Sequence, residues 1–195
     1  HFIKAASAHP EFSLGAVYSR TMEKAKMFAE KYQIKHVYTN LEEMFQSGNI
    51  DAVYIASPNK FHAEQSILAM KNRIHVLCEK PAVTSVQEMD EVIQTAKTYN
   101  AMFMEAMKST VTPTFLNLKK HLDEIAPIRR FVFHYNQYSS RYDKYKEGII
   151  ENAFKPELGN GSKMDLGVYC LAPIVHLVGE PKSIVKNHYY LSTGA

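Results

Sequence analysis

The chain has 195 residues, 46% apolar and 22% charged, which is enough to build the core of one large or two small globular domains. Its net charge of +3 comes from dispersed lysines, with no basic stripe, zinc-finger spacing or aromatic–basic interleaving, and this composition argues against a nucleic-acid binder. No run approaches the roughly 18 apolar residues of a membrane span, and His1-Phe2-Ile3-Lys4 lacks a signal-peptide layout. The cysteines, Cys78 and Cys170, are too few for a disulfide framework, so two reduced, buried thiols and a cytoplasmic location are expected.

Strand-like and helix-like segments alternate from the start. Ser13 to Ser19 reads as a short strand, followed by a helix over Thr21 to Tyr32 in which Met22, Ala25, Ala29 and Tyr32 recur at helical spacing. Asn40 with Glu43 three residues on forms a capping box that opens a short helix. Asp51 to Ser57 is a nearly continuous apolar run, as in a strand covered on both faces. A helix containing His62, Gln65, Ile67, Leu68 and Met70 ends near Asn72, and Ile74 to Cys78 is the next strand. Thr84 and Gln87 read as a second capping box for a helix reaching about Tyr99, and Ala101 to Met107 closes the series as a strand.

This alternation implies an α/β fold, a parallel sheet with helices on both faces. Ligands in such sheets bind at the C-terminal strand ends. Three polar turns are therefore expected on one rim: Ser19-Arg20, Ser57-Pro58-Asn59 and Glu79-Lys80-Pro81. Beyond Met107 the pattern changes. A helix is predicted over Pro113 to Leu122, a long strand over Ile128 to Tyr138, a polar loop, a helix over Ser162 to Val178, and a strand over Lys182 to Leu191. Residues 1–107 thus read as one domain and 108–195 as an α+β domain with a largely open sheet.

Glu79-Lys80-Pro81, between an apolar strand and a capped helix, resembles the Glu-Lys-Pro motif of the Gfo/Idh/MocA oxidoreductases. Ser57-Pro58-Asn59-x-x-His62 is similar to that family's Thr/Ser-Pro-Asn-x-x-His turn. Gly159-Asn160-Gly161 leading into Met164-Asp165-Leu166-Gly167-x-Tyr169 is similar to its second-domain helix. The resemblance is collinear over essentially the whole chain and points to the dihydrodiol dehydrogenase and glucose–fructose oxidoreductase branches. It implies a Rossmann-like domain followed by a substrate and oligomerisation domain. It also implies a homodimer or larger assembly, a small-molecule substrate, and a sugar, polyol or cyclic diol as that substrate. The family's Gly-x-Gly-x-x-Gly turn has no counterpart here, and family members continue past Ser192-Thr193-Gly194-Ala195. The expectation is therefore that sequence is missing at both ends.

By this resemblance Lys80 is the proton acceptor for the hydroxyl whose carbon exchanges a hydride, with burial lowering its pKa. Asp165 and Tyr169, four residues apart, share one helical face. The carboxylate would hold Lys80, and the phenol, helped by a neighbouring cation, would exchange a proton with the substrate oxygen. Ser19, Arg20, Ser57, Pro58, Asn59, His62, Glu79 and Lys80 are the expected cofactor-binding residues. Arginine rather than a carboxylate after the second strand favours NADP over NAD, NAD remaining possible.

Each assignment has a plainer competitor. His62 suits a satisfied first-turn position, Arg20 an ordinary surface arginine, and Asp165 and Tyr169 a capping or salt-bridged aspartate with a half-buried tyrosine. His176 sits just before the helix stop Gly179-Glu180-Pro181, and its place at a helix C-terminus is a sufficient structural explanation. Tyr142-x-x-x-Lys146 matches the pair of short-chain dehydrogenases but falls in the polar loop. No metal is expected, because the histidines show no ligand spacing with cysteines or carboxylates. The rival function is a non-catalytic, ligand-sensing regulator of the same fold, disfavoured by a complete proton-transfer set. A glycosidase using NAD transiently is a third reading.

Overall fold

The computed structural model describes residues 2–194; His1 and Ala195 lie outside the described residues. The chain gathers into two compact units. The first comprises His1–Ile55, Glu64–Leu77 and Asp90–Met104, and the second Ala56–Ala63, Cys78–Met89 and Glu105–Ala195.

In the first unit, α1 (Phe2–Ser7) is followed by β1 (Ala16–Tyr18) and α2 (Met22–Tyr32). Thr21 caps α2 by accepting from the Lys24 N–H, and Gln33 ends it in the left-handed region at φ 55°. The apolar face of α2 buries Ala25 and Ala29, whereas Met22 stays exposed. A strand that the sequence did not announce follows, β2 (His36–Tyr38), pairing parallel to β1 in the register Val17 to Val37. Three residues are too few for a period-two pattern to show. The Asn40 side chain accepts from the Glu42 and Glu43 N–H groups and starts α3 (Leu41–Gln46), as its position predicted.

The strands β3 (Ala52–Ile55), β4 (His75–Cys78) and β5 (Phe103–Glu105) form a second sheet in that order. Val76 N–H donates to Met102 and Ala106 N–H to Cys78, so the partners advance together, the mark of parallel pairing. The five strands thus divide between two sheets rather than forming one. Helices α4 (His62–Lys71) and α5 (Val86–Tyr99) connect them. The α5 start is shifted by one residue from the expected box. Ser85 Oγ accepts from the Glu88 N–H, and Glu88 accepts from both N–H and Oγ–H of Thr84. Glu88 prevails over Gln87 because a carboxylate accepts strongly from two donors at once. Ala69, Met70, Val76 and Val92 make up much of the core.

Gly15 explains the close entry into β1. A Cβ there would lie 2.4 Å from the Asn49 main-chain oxygen and 3.4 Å from Ile50 Cγ2. Gly15→Ala is expected to destabilise this unit by about 2 kcal/mol, the usual scale of an overpacking clash. A thermal melt checks this, and an unchanged midpoint would mean that the backbones part freely.

The second unit contains α6 (Pro113–Lys120), α7 (Tyr142–Lys146) and α8 (Val168–Val178). Two expectations fail here. Residues 128–138 and 182–191 are not strands among the described residues and carry no ladder. Val132, Tyr135, Tyr138, Ile184, Val185 and Tyr189 stand exposed along them. β-branched and aromatic content marks a segment that suits a sheet, but a strand exists only where a partner meets its N–H and C=O groups. The Tyr142–Lys146 segment, expected as loop, is a short helix in which Lys146 pairs with Asp143 at 2.7 Å. Neither Cys78 nor Cys170 forms a disulfide among the described residues; Cys78 is buried, but Cys170 is only partly so.

Candidate functional site

Lys80 is the second residue after β4, and its aliphatic stem is largely covered, with the side chain 13% exposed. Its ammonium donates to Asp165 Oδ1 at 2.7 Å and to the Asp165 main-chain carbonyl at 2.9 Å. The same nitrogen stands 4.7 Å from the centre of the Tyr169 ring. Tyr135 stacks on that ring, with centroids 5.4 Å apart and planes 15° apart. Burial pulls the Lys80 pKa down, but the hydrogen bond and charge of Asp165, with a smaller contribution from Tyr169, outweigh it and leave the pKa raised. The expected net depression is thus reversed, because burial brings the lysine against its counter-charge.

The irregular start of the last helix makes this double contact possible. Asp165 lies on a π turn, Lys163–Gly167, that leads into α8. A π turn widens the coil and loosens the i→i−4 ladder, and here the Asp165 carbonyl accepts from the lysine. Further along, Pro173 lies inside α8. It has no N–H to offer the Tyr169 carbonyl one turn back. Asp165 and Tyr169 therefore do face Lys80 together, although the turn between them is not the regular helix their spacing suggested.

The turn after β3 forms the adjacent wall. Asn59 Nδ2 donates to the Gly159 carbonyl at 2.9 Å and to Asn160 Oδ1 at 3.1 Å. Asn160 Nδ2 in turn donates to the Asn152 carbonyl at 2.7 Å. Gly159 has φ 71°, and a Cβ on it would lie 2.6 Å from Thr84 Cγ2 and 3.4 Å from Asn59 Cβ. This close approach ties the Gly159-Asn160-Gly161 motif to Asn59. His62 is 1% exposed, with Nδ1 2.8 Å from the Pro81 carbonyl and Nε2 2.8 Å from the Ser57 carbonyl. It joins the Ser57-Pro58-Asn59 turn to the Glu79-Lys80-Pro81 turn.

Ser57, Pro58 and Asn59 line a cleft of about 580 Å³ together with Asp165, Arg141 and Glu151. Of the other expected residues, Glu79 turns its carboxylate back to the Lys80 N–H at 3.2 Å. Ser19 and Arg20 belong to the first unit and so lie outside this group. The Ser19 N–H donates to the Tyr38 carbonyl, and Arg20 is exposed at the turn into α2. His176 meets the Phe115 ring edge-on at 6.2 Å.

Sequence reasoning missed Tyr135, Arg141, Glu151 and Glu105, the last of which accepts from the Ala82 N–H at 2.8 Å. Glu105 could have been found as a charge inside an apolar strand. The other three carry no motif, and only the folding of a long polar segment brings them in.

Known proteins match the chain over most of its length. Residues 1–107 match the model of an oxidoreductase family with an NAD-binding Rossmann fold. The chain is 50% identical over 193 residues to scyllo-inositol 2-dehydrogenase (NADP(+)) IolU of Bacillus subtilis (strain 168), covering 99% of this chain and 59% of that protein. It is 29% identical over 197 residues to trans-1,2-dihydrobenzene-1,2-diol dehydrogenase of Xenopus tropicalis, covering 99% and 58%. An NAD-binding protein from Listeria innocua superposes with a TM-score of 0.73 at 25% identity, covering 91% of this chain and 50% of that one. The chain thus spans somewhat more than half the length of the curated relatives it matches. Its strand–helix alternation, its Glu79-Lys80-Pro81 turn and these matches establish that the chain belongs to the Gfo/Idh/MocA family of oxidoreductases.

Proposed function

We propose that this protein is an NADP(H)-dependent dehydrogenase or reductase acting on the CH–OH or carbonyl carbon of a sugar, polyol or cyclic diol. The observation that carries the reading is Lys80, held at 2.7 Å by Asp165 and 4.7 Å from the Tyr169 ring centre. The relatives' names favour a polyol or diol substrate and NADP as cofactor; NAD is the second choice. In this reading residues 1–107 form the dinucleotide-binding domain and 108–195 the substrate and assembly domain. Two copies associate in the cytoplasm, and light-scattering mass tests the dimer.

The residues present fit a dinucleotide. The turn after β3 offers the small or flat side chains of Ser57, Pro58 and Asn59 to an open cleft at a strand end, where doubly wound sheets take their ligands. Ser57, Pro58, Asn59 and Lys80 would hold the nicotinamide half, with His62 and Glu79 shaping the two turns. Ser19 and Arg20 would take the adenosine ribose and its 2′-phosphate. When bound, the dinucleotide accepts or supplies the hydride.

The chain's own residues handle the proton. Asp165 keeps Lys80 charged and fixed, so its ammonium hydrogen-bonds the substrate oxygen and stabilises negative charge forming there. Tyr169, whose ring lies beside the Lys80 ammonium, takes the hydroxyl proton as it gives up its own in oxidation, and the transfers reverse in reduction. The proton that Tyr169 gives up passes to Lys80 as the ammonium gives one of its own to water, so the charge on the lysine is kept. Turnover of NADP with a panel of inositols, aldoses and cyclic diols by the whole protein tests the reading. Cofactor binding without turnover across the panel would favour the ligand-sensing regulator instead.

Tyr169→Phe keeps the ring on Lys80 and removes only the hydroxyl. It is expected to lower kcat about 100-fold with little change in KM. Steady-state kinetics decide, and an unchanged kcat would remove Tyr169 from proton transfer.

A further inference from the structure

The cleft beside Lys80 and Asp165 has a second charged wall that the proton-transfer chemistry leaves unused. Arg141 Nε lies 3.3 Å from Glu151 Oε2, and Lys144 Nζ lies 2.5 Å from Glu151 Oε1. Both carboxylate oxygens are thus taken by cations, and Lys144 above all, with Arg141, holds the Glu151 pKa below the ordinary carboxylate range. Arg141 is engaged through Nε alone; among the described residues its two terminal amino groups have no partner. The other donors on the wall are committed within the protein. Asn59 donates to Gly159 and Asn160, and Asn160 to Asn152. The guanidinium is therefore the strongest donor left facing the cleft.

We propose that Arg141, oriented by Glu151, is a specificity-determining residue that donates forked hydrogen bonds to vicinal hydroxyls of a polyhydroxylated ring in this cleft. The proposal rests on the functional reading above and deepens it by naming the group that selects the substrate. A planar guanidinium presents two parallel N–H donors, spaced to meet oxygens on neighbouring carbons. Glu151 fixes the plane of that fork and is a positioning residue. Lys80, held by Asp165 of the same cleft lining, engages the reacting hydroxyl, so the ring is held at two places, and an alcohol with one hydroxyl is held at one.

The test is steady-state kinetics of the whole protein with NADP and an inositol, comparing wild type, Arg141→Ala, Arg141→Lys and Glu151→Gln. Charge-assisted hydrogen bonds of about 2 kcal/mol correspond to a rise of roughly 30-fold in KM for Arg141→Ala, with kcat changed far less. Arg141→Lys restores the charge but not the fork and recovers only part of the loss. Glu151→Gln shifts KM in the same direction by a smaller factor. Calorimetric binding of the inositol to the protein–NADP complex reads the same loss without turnover. A KM within twofold of wild type in an Arg141→Ala protein that melts normally and still binds NADPH overturns the inference. If Arg141→Ala fails to fold, an unchanged KM in Glu151→Gln together with full rescue by Arg141→Lys does the same. Absence of polyol turnover in the wild type overturns the functional reading itself.

Discussion

Replacing Lys80 by alanine is expected to lower kcat by about 1,000-fold, the middle of the range for a positioned acid–base group. The substitution removes a cation that touches Asp165 Oδ1, the Asp165 carbonyl and the Tyr169 ring together. Lys80→Arg keeps the charge but not the compact ammonium, and a guanidinium does not deprotonate in proteins, so little of the loss is regained. Pre-steady-state hydride transfer separates this chemical defect from slow product release. Turnover unchanged in Lys80→Ala would sink the mechanism.

The sign of the Lys80 pKa shift also constrains stability. The folded value is raised above the ordinary 10.5. The group's contribution is therefore fully present below that pH and is lost as pH rises through the folded value. Across neutral pH the contribution is flat. Asp165 is 48% exposed, so solvent screens the pair and its worth is about 1 kcal/mol or less. Wild type and Lys80→Met should then melt in parallel from pH 6 to 9 and converge only at strongly alkaline pH. A difference that changed between pH 6 and 8 would assign the titration to another group.

The second large effect is expected at His62. Its ring is buried and joins the Ser57 and Pro81 carbonyls at 2.8 Å each. His62→Ala leaves two carbonyls without these partners and opens a cavity, and together these are expected to cost about 3 kcal/mol. Denaturant unfolding measures the loss. Because the ring engages protein carbonyls, any effect on NADP passes through the two turns it joins, and affinity should fall along with stability. His62→Gln, which can reach one carbonyl, should recover part of both. Normal stability with impaired NADP binding would instead place the imidazole directly on the cofactor.

Much of the architecture was legible because local patterns carry it. The Asn40 cap, the apolar run at β3, the Ala25–Ala29 face and the Glu79-Lys80-Pro81 turn each depend on residues within a few positions of one another. Three of the features that were not legible failed for different reasons. The α5 cap shifted by one residue because Ser85 and Glu88 compete with Thr84 and Gln87 for the same N–H groups, and geometry decides between them. Segments 128–138 and 182–191 have strand composition but no ladder, since pairing depends on a partner and not on the segment. Lys80 looked like a lysine whose pKa burial would depress; Asp165 was expected beside it, but that the counter-charge outweighs burial depends on a 2.7 Å contact made across 85 residues of chain.

Sequence alone determined the alternating α/β pattern, the family resemblance and the identity of Lys80, Asp165 and Tyr169 as a group, because motif spacing survives without coordinates. Only the tertiary structure decided that Asp165 offers both its carboxylate and its carbonyl to Lys80, through a π turn that no spacing rule reveals. It also decided that His62 faces two carbonyls, and that Arg141 and Glu151 line the cleft that Asp165 lines. These are contacts between residues far apart in the chain, and their energy depends on which groups lose water together.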